Sequence, residues 1–147
     1  MNPELQGRSF PSTAPYLVGR EKVREFARAV FAMSPLNHDP GAARAAGFAD
    51  VVAPPTFPVV VQEHALVQLL AEPDTGIELS RVLHAEQRFS YSRPVVAGDE
   101  LTATLTVTGI KSIAGNAMVT AETTVLDANG EHVVTAISTL LVREDEA

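Results

Sequence analysis

From Val82 onward the sequence keeps a period of two through four successive segments, and a chain so patterned has few ways to hide its apolar face. Residues 101–108 show this most cleanly, with Leu101, Ala103, Leu105 and Val107 alternating with threonines. Residues 82–93 place Leu83, Ala85, Gln87, Phe89 and Tyr91 on one side. Residues 117–126 and 132–143 follow, separated by Asp127-Ala128-Asn129-Gly130, a hairpin loop signal. Gly98-Asp99 and Gly115-Asn116 mark two further turns. Strands joined by such short turns run antiparallel, and each needs something to bury its apolar face against.

The covering element lies just upstream. In residues 56–70, Val59, Val60, Val61, Ala65, Leu66, Val67, Leu69 and Leu70 cover nearly every side of a helix. A helix that is apolar all round is a buried one. Its valines are poor helix formers, so a strand is the local alternative. Length and the polar Gln62, Glu63, His64 and Gln68 favour the helix, with Thr56 as N-cap and Pro58 in the first turn. A shorter helix is expected over residues 19–30, where Val23, Phe26, Ala27 and Val30 recur at steps of three and four. Asp39-Pro40 opens another: Asp39 caps it, Pro40 suits its first turn and Gly47 ends it. Residues 1–15, broken by Pro11 and Pro15, read as an irregular arm. The sum is a single α+β domain over residues 1–147, an antiparallel sheet wrapped around one long helix.

Composition narrows what such a domain does. There is no cysteine, so thiol chemistry and disulfides are excluded. The net charge is −7 and the basic residues are scattered, which argues against a nucleic-acid surface. No apolar run reaches the roughly 18 residues of a membrane span, and residues 1–10 lack the apolar core of a signal peptide, so a cytoplasmic protein is expected. His38, His64, His84 and His132 show no zinc-like spacing, and neither metal nor other cofactor is expected.

The segment Phe31-Ala-Met-Ser-Pro-Leu-Asn-His-Asp-Pro40, with Gly47-Phe48, Val52-Ala53-Pro54-Pro55 and Thr56-Phe57 after it, resembles the active-site segment of MaoC-type dehydratases of the hotdog fold. His84-Ala-Glu-Gln-Arg-Phe89 and Arg93-Pro94 through Gly98-Asp99 are similar to the strand and turn that follow in that family. In it, an aspartate and a histidine five positions apart orient a water and shuttle its proton during hydration of 2-enoyl thioesters or dehydration of 3-hydroxyacyl thioesters. Aligned on Pro35-Leu36, those positions hold Ala32 and Asn37. Alanine exchanges no proton, and an asparagine does not titrate near neutrality. The resemblance therefore implies an accessory subunit of a bacterial 3-hydroxyacyl-carrier-protein dehydratase in fatty-acid metabolism, matching the N-terminal half of longer MaoC-like proteins. Such a subunit binds an acyl-CoA or acyl-carrier-protein thioester and forms a homodimer or, with a dyad-bearing hotdog partner, a heterodimer.

Phe48, Val52, Pro55, Thr56 and Phe57 are then the expected acyl-thioester-binding residues, beside helix N–H groups suited to a thioester carbonyl. Ordinary packing is the competing role for Phe48, Val52 and Phe57. Two residues outside the lost dyad offer alternative chemistry. His38 serves a stand-alone hydratase, although the register of Asp39-Pro40 turns it elsewhere. Glu63 serves a stand-alone thioesterase, although an acidic group early in a helix is often there for the helix itself. His84, Glu86 and Arg88 read as a solvated row on one strand face.

Overall fold

The computed structural model describes residues 1–144. Its elements, in chain order, are β1 (Tyr16–Leu17), α1 (Arg20–Ala29), α2 (Pro40–Ala45), α3 (Val59–Ala71), β2 (Val82–Tyr91), β3 (Glu100–Ile113), β4 (Asn116–Leu126) and β5 (His132–Val142). Short 3-10 turns stand at Pro3–Leu5, Pro35–Asn37 and Leu79–Arg81. The strands form one antiparallel sheet in the order β1-β3-β4-β5-β2. This is the expected α+β architecture, a hotdog fold.

Alternation decides which face of the sheet is inside. Leu101, Ala103, Leu105 and Val107 of β3 are buried, as are Ala117, Val119, Ala121 and Val125 of β4 and Val134, Ala136 and Leu140 of β5. The alanines leave room for α3, which packs over β3 and β4 and buries Val61, Ala65 and Leu69. Fully burying a valine or leucine side chain contributes roughly 1.5–3 kcal/mol. The β3–β4 hairpin closes through Ala114 and Gly115, with φ of 49° and 77°. Positive φ at both positions is what a two-residue turn between twisted strands requires.

Some expectations change, and the irregular arm gains a role. Helix α3 begins at Val59, after a turn through residues 55–58, so Thr56 makes no side-chain cap. The alternation of β2 breaks at a bulge between His84 and Glu86, which leaves Leu83 and Ala85 exposed while Gln87 and Phe89 stay half-buried. The N-terminal arm is ordered along the edge of β3: Gly7 N–H donates to Val107 O, Phe10 N–H to Leu105 O and Thr13 N–H to Ala103 O. Its Leu5 and Phe10 are buried. The β3 side of the sheet is thus covered by β1 and this arm, while among the described residues β2 pairs only with β5.

Candidate functional site

The site is built from the loop after α1, the turn before α3 and the end of β2. Ser34 starts it: its Oγ accepts from Leu36 N–H, and Pro35 sits in the first turn, where its missing N–H costs nothing. Leu36 O then accepts from Val52 N–H at 2.8 Å. Asn37 is 8% exposed, and its Nδ2 donates to Val52 O at 2.6 Å. The two strips from Ser34 and Val52 are thereby laced together.

Behind them, Ala53 N–H donates to Val95 O and Ala97 N–H to Val51 O, which ties the second strip to the chain beyond β2. Between the strips and β2 lies a mainly apolar cavity of about 410 Å³, with Leu36, Asn37, Val52, Pro55, Tyr91 and Arg93 among its walls. Arg93 is fixed by two acidic partners. Its Nη1 and Nη2 reach the two oxygens of Asp99 at 2.9 and 3.1 Å, and Nη2 also reaches Asp127 at 3.3 Å. The hydrogen bond to Asp99 is the main reason its pKa rises further. The backbone N–H of Glu131, then that of Asn129 and the tie to Arg93, hold Asp127 below the usual carboxylate range. Tyr91 donates its phenol hydrogen to Pro55 O at 2.5 Å, and burial pushes its pKa up to about 12.

No lining residue takes up a proton near neutrality. Tyr91 stays protonated, Arg93 stays charged, and Asn37 does not titrate. On the rim, Ser92 Oγ lies 2.5 Å from His132 Nδ1, whose Nε2 is held 2.7 Å from Thr135 Oγ1.

The expected residues separate into groups. Val52 and Pro55 line the cavity together with Asn37. Phe57 is fully buried, in edge-to-face contact with Phe26 at 5.4 Å, and Thr56 is exposed beside it. Phe48 lies where α2 ends, its N–H donating to Ala43 O. Ala32 is half-buried at the end of α1 and contributes no wall. His38 Nε2 lies 2.8 Å from Ala32 O; a carbonyl only accepts, so that nitrogen is protonated and spans the loop. Asp39 caps α2 through Oδ1 and Gly41 N–H, as expected. Glu63 lies apart, in a second groove that it shares with His84.

Sequence reasoning missed Tyr91 and Arg93 as walls. Arg93 stands in a segment that carried the resemblance, and Tyr91 belongs to the inner row of β2. The signal was there, but nothing in it said that β2 ends against the turn before α3.

The FAS1-like, dehydratase domain region family matches residues 4–136. A UPF0336 protein of Clavibacter michiganensis is 70% identical over 147 residues, covering 100% of this chain and 99% of the relative. The chain belongs to this MaoC-like hotdog family. Among solved structures, the HadBC (3R-hydroxyacyl-ACP dehydratase) complex of Mycobacterium tuberculosis superposes with a TM-score of 0.86 at 30% identity, covering 96% of this chain and 99% of that one. A MaoC-like dehydratase gives 0.84 at 38% identity, covering 94% of this chain and 42% of the other. Within this dehydratase-type hotdog family, Ala32 and Asn37 stand in a loop whose frame is complete: a capped turn, a capped short helix and a laced cavity wall.

Proposed function

We propose that this chain is the non-catalytic, acyl-binding subunit of a 3-hydroxyacyl-thioester dehydratase and works beside a dyad-bearing hotdog partner. The observation that carries the reading is Asn37, a buried amide committed to Val52 O on the wall of an apolar cavity with no carboxylate or imidazole among its described lining residues. Dehydration of a 3-hydroxyacyl thioester needs a base for the hydrogen beside the carbonyl and an acid for the departing hydroxyl. Each such group contributes on the order of 10²- to 10⁴-fold in rate. An apolar cavity without them binds an acyl chain and leaves the chemistry elsewhere.

Two further observations support a partner. Strand β2 has an edge left unpaired by the described residues, and beside it Leu79, Leu83 and Val67 are 70%, 54% and 55% exposed. An open apolar edge of this kind invites pairing with another sheet. Of the two similar structures, one is a two-component complex, and the other is a chain of which this one matches 42%.

The test is hydration of crotonyl-CoA by the purified chain. The isolated protein is expected to show none above background, and robust turnover would overturn the proposal. Introducing Ala32→Asp with Asn37→His is expected to raise the rate by 10²-fold or more if the frame is intact.

A stand-alone thioesterase has one observation behind it: Glu63 and His84 line the same apolar groove beside α3. The Glu63→Gln variant decides it, since full retention of any thioester hydrolysis removes that carboxylate from the chemistry. A hydratase using His38 is disfavoured by its bond to Ala32 O, which holds the ring away from the cavity.

A further inference from the structure

The cavity beside Asn37 and the groove beside α3 have the same volume, about 410 Å³ each, and each takes one wall residue from β2, Tyr91 in the first and His84 in the second. The first ends at Pro55 and Tyr91. The second begins at Val59 and Gln62, a turn further along the chain. Between them runs the inner row of β2, where Tyr91, Phe89 and Gln87 share a face by strand alternation. The Phe89 and Tyr91 rings are 6.4 Å apart and form an apolar strip on that face.

Two polar ties cross this strip. One is the hydrogen bond from Tyr91 to Pro55 O. The other is a closed ring: Gln62 Nε2 donates to Ser138 Oγ, Ser138 Oγ donates to Gln87 Oε1 at 2.7 Å, and Gln87 Nε2 donates to Gln62 Oε1 at 2.8 Å. The ties differ in what breaking them costs. Gln62 is 4% exposed and Ser138 is fully buried, so opening the ring strands polar groups away from water. Tyr91 is 37% exposed, and its hydroxyl finds water when it leaves Pro55. The tyrosine tie is therefore movable and the glutamine ring is fixed.

We propose that Tyr91 sets the length of acyl chain this protein accepts. With the phenol on Pro55 the cavity is closed at its far end. With the ring swung aside, the cavity continues along Phe89 until it meets the Gln62–Ser138–Gln87 ring. This rests on the acyl-binding reading above, and it names the side chains that decide how much of an acyl tail is covered.

The test is binding of saturated acyl-CoA thioesters, from butyryl through octanoyl to palmitoyl, to the full chain by calorimetry below their micellar concentrations. Each methylene that finds room improves affinity roughly fourfold. The wild-type protein is expected to gain affinity with length and then level off. Tyr91→Ala moves that plateau to longer chains. Tyr91→Phe, which keeps the ring and loses the tie, moves it in the same direction by less. Thermal melts confirm that each variant is folded. A plateau at the same length in all three proteins, or no plateau in the wild type, overturns the proposal and leaves the acyl-binding reading standing. No binding at any length overturns both.

Discussion

Phe31 is the most strained residue of the site loop. Helix α1 ends in a Schellman motif: Ala32 N–H reaches back to Ala27 O and Phe31 N–H to Arg28 O. The position between helix and loop must adopt positive φ, and Phe31 does so at 58° while 87% exposed. Helix α2 ends in the same motif with Gly47 at that position, φ 95°, and Phe48 N–H reaching Ala43 O. Glycine takes this conformation without steric cost, whereas a residue with a Cβ loses about 1–2 kcal/mol. Phe31→Gly should therefore stabilise the isolated chain by up to about 1 kcal/mol, part of the gain being offset by the freer unfolded chain, as urea titration will show. The loop end was legible as an end in the sequence. The strain was not, because no glycine marks it.

At the scale of elements, α3 shows how far periodicity carries. Its apolar residues cover nearly all sides, and the expectation was a helix buried all round. The sheet covers one side only: Leu69 is fully buried, and Val67, two residues away, is 55% exposed. Leu69→Ala should cost about 3 kcal/mol through lost burial and the cavity left behind, while Val67→Ala should change the isolated chain by well under 1 kcal/mol. Paired chemical denaturation curves measure the contrast. Strand β2 departs from its pattern for a different reason. It lies at an edge, so a bulge at His84/Glu86 is tolerated, and the face assignment of Leu83 and Ala85 inverts. The arm before β1 carries no alternation, yet its backbone completes the other edge by bonding to β3.

For the whole molecule, the two edges of the sheet decide its behaviour in solution. The arm closes one edge; the other, β2, is open and flanked by Leu79, Leu83 and the exposed side of α3. Leu83→Lys places a charge beside that edge and should weaken association with a hotdog partner, or with a second copy, with little change in the fold of the chain, read as a shift toward monomer in sedimentation velocity. Much of the molecule was determined by the sequence alone: the antiparallel sheet, the single long helix, the short helix capped by Asp39, and the absence of acid and base at Ala32 and Asn37. These follow from local pattern and residue chemistry, which act over a few neighbours. The tertiary structure alone decided that Asn37 is committed to Val52, that Tyr91 closes the cavity against Pro55, that Phe57 belongs to the core and that β2 stays open. Each of those joins residues more than a dozen positions apart or turns on how much room the packed sheet leaves, and no local pattern encodes either.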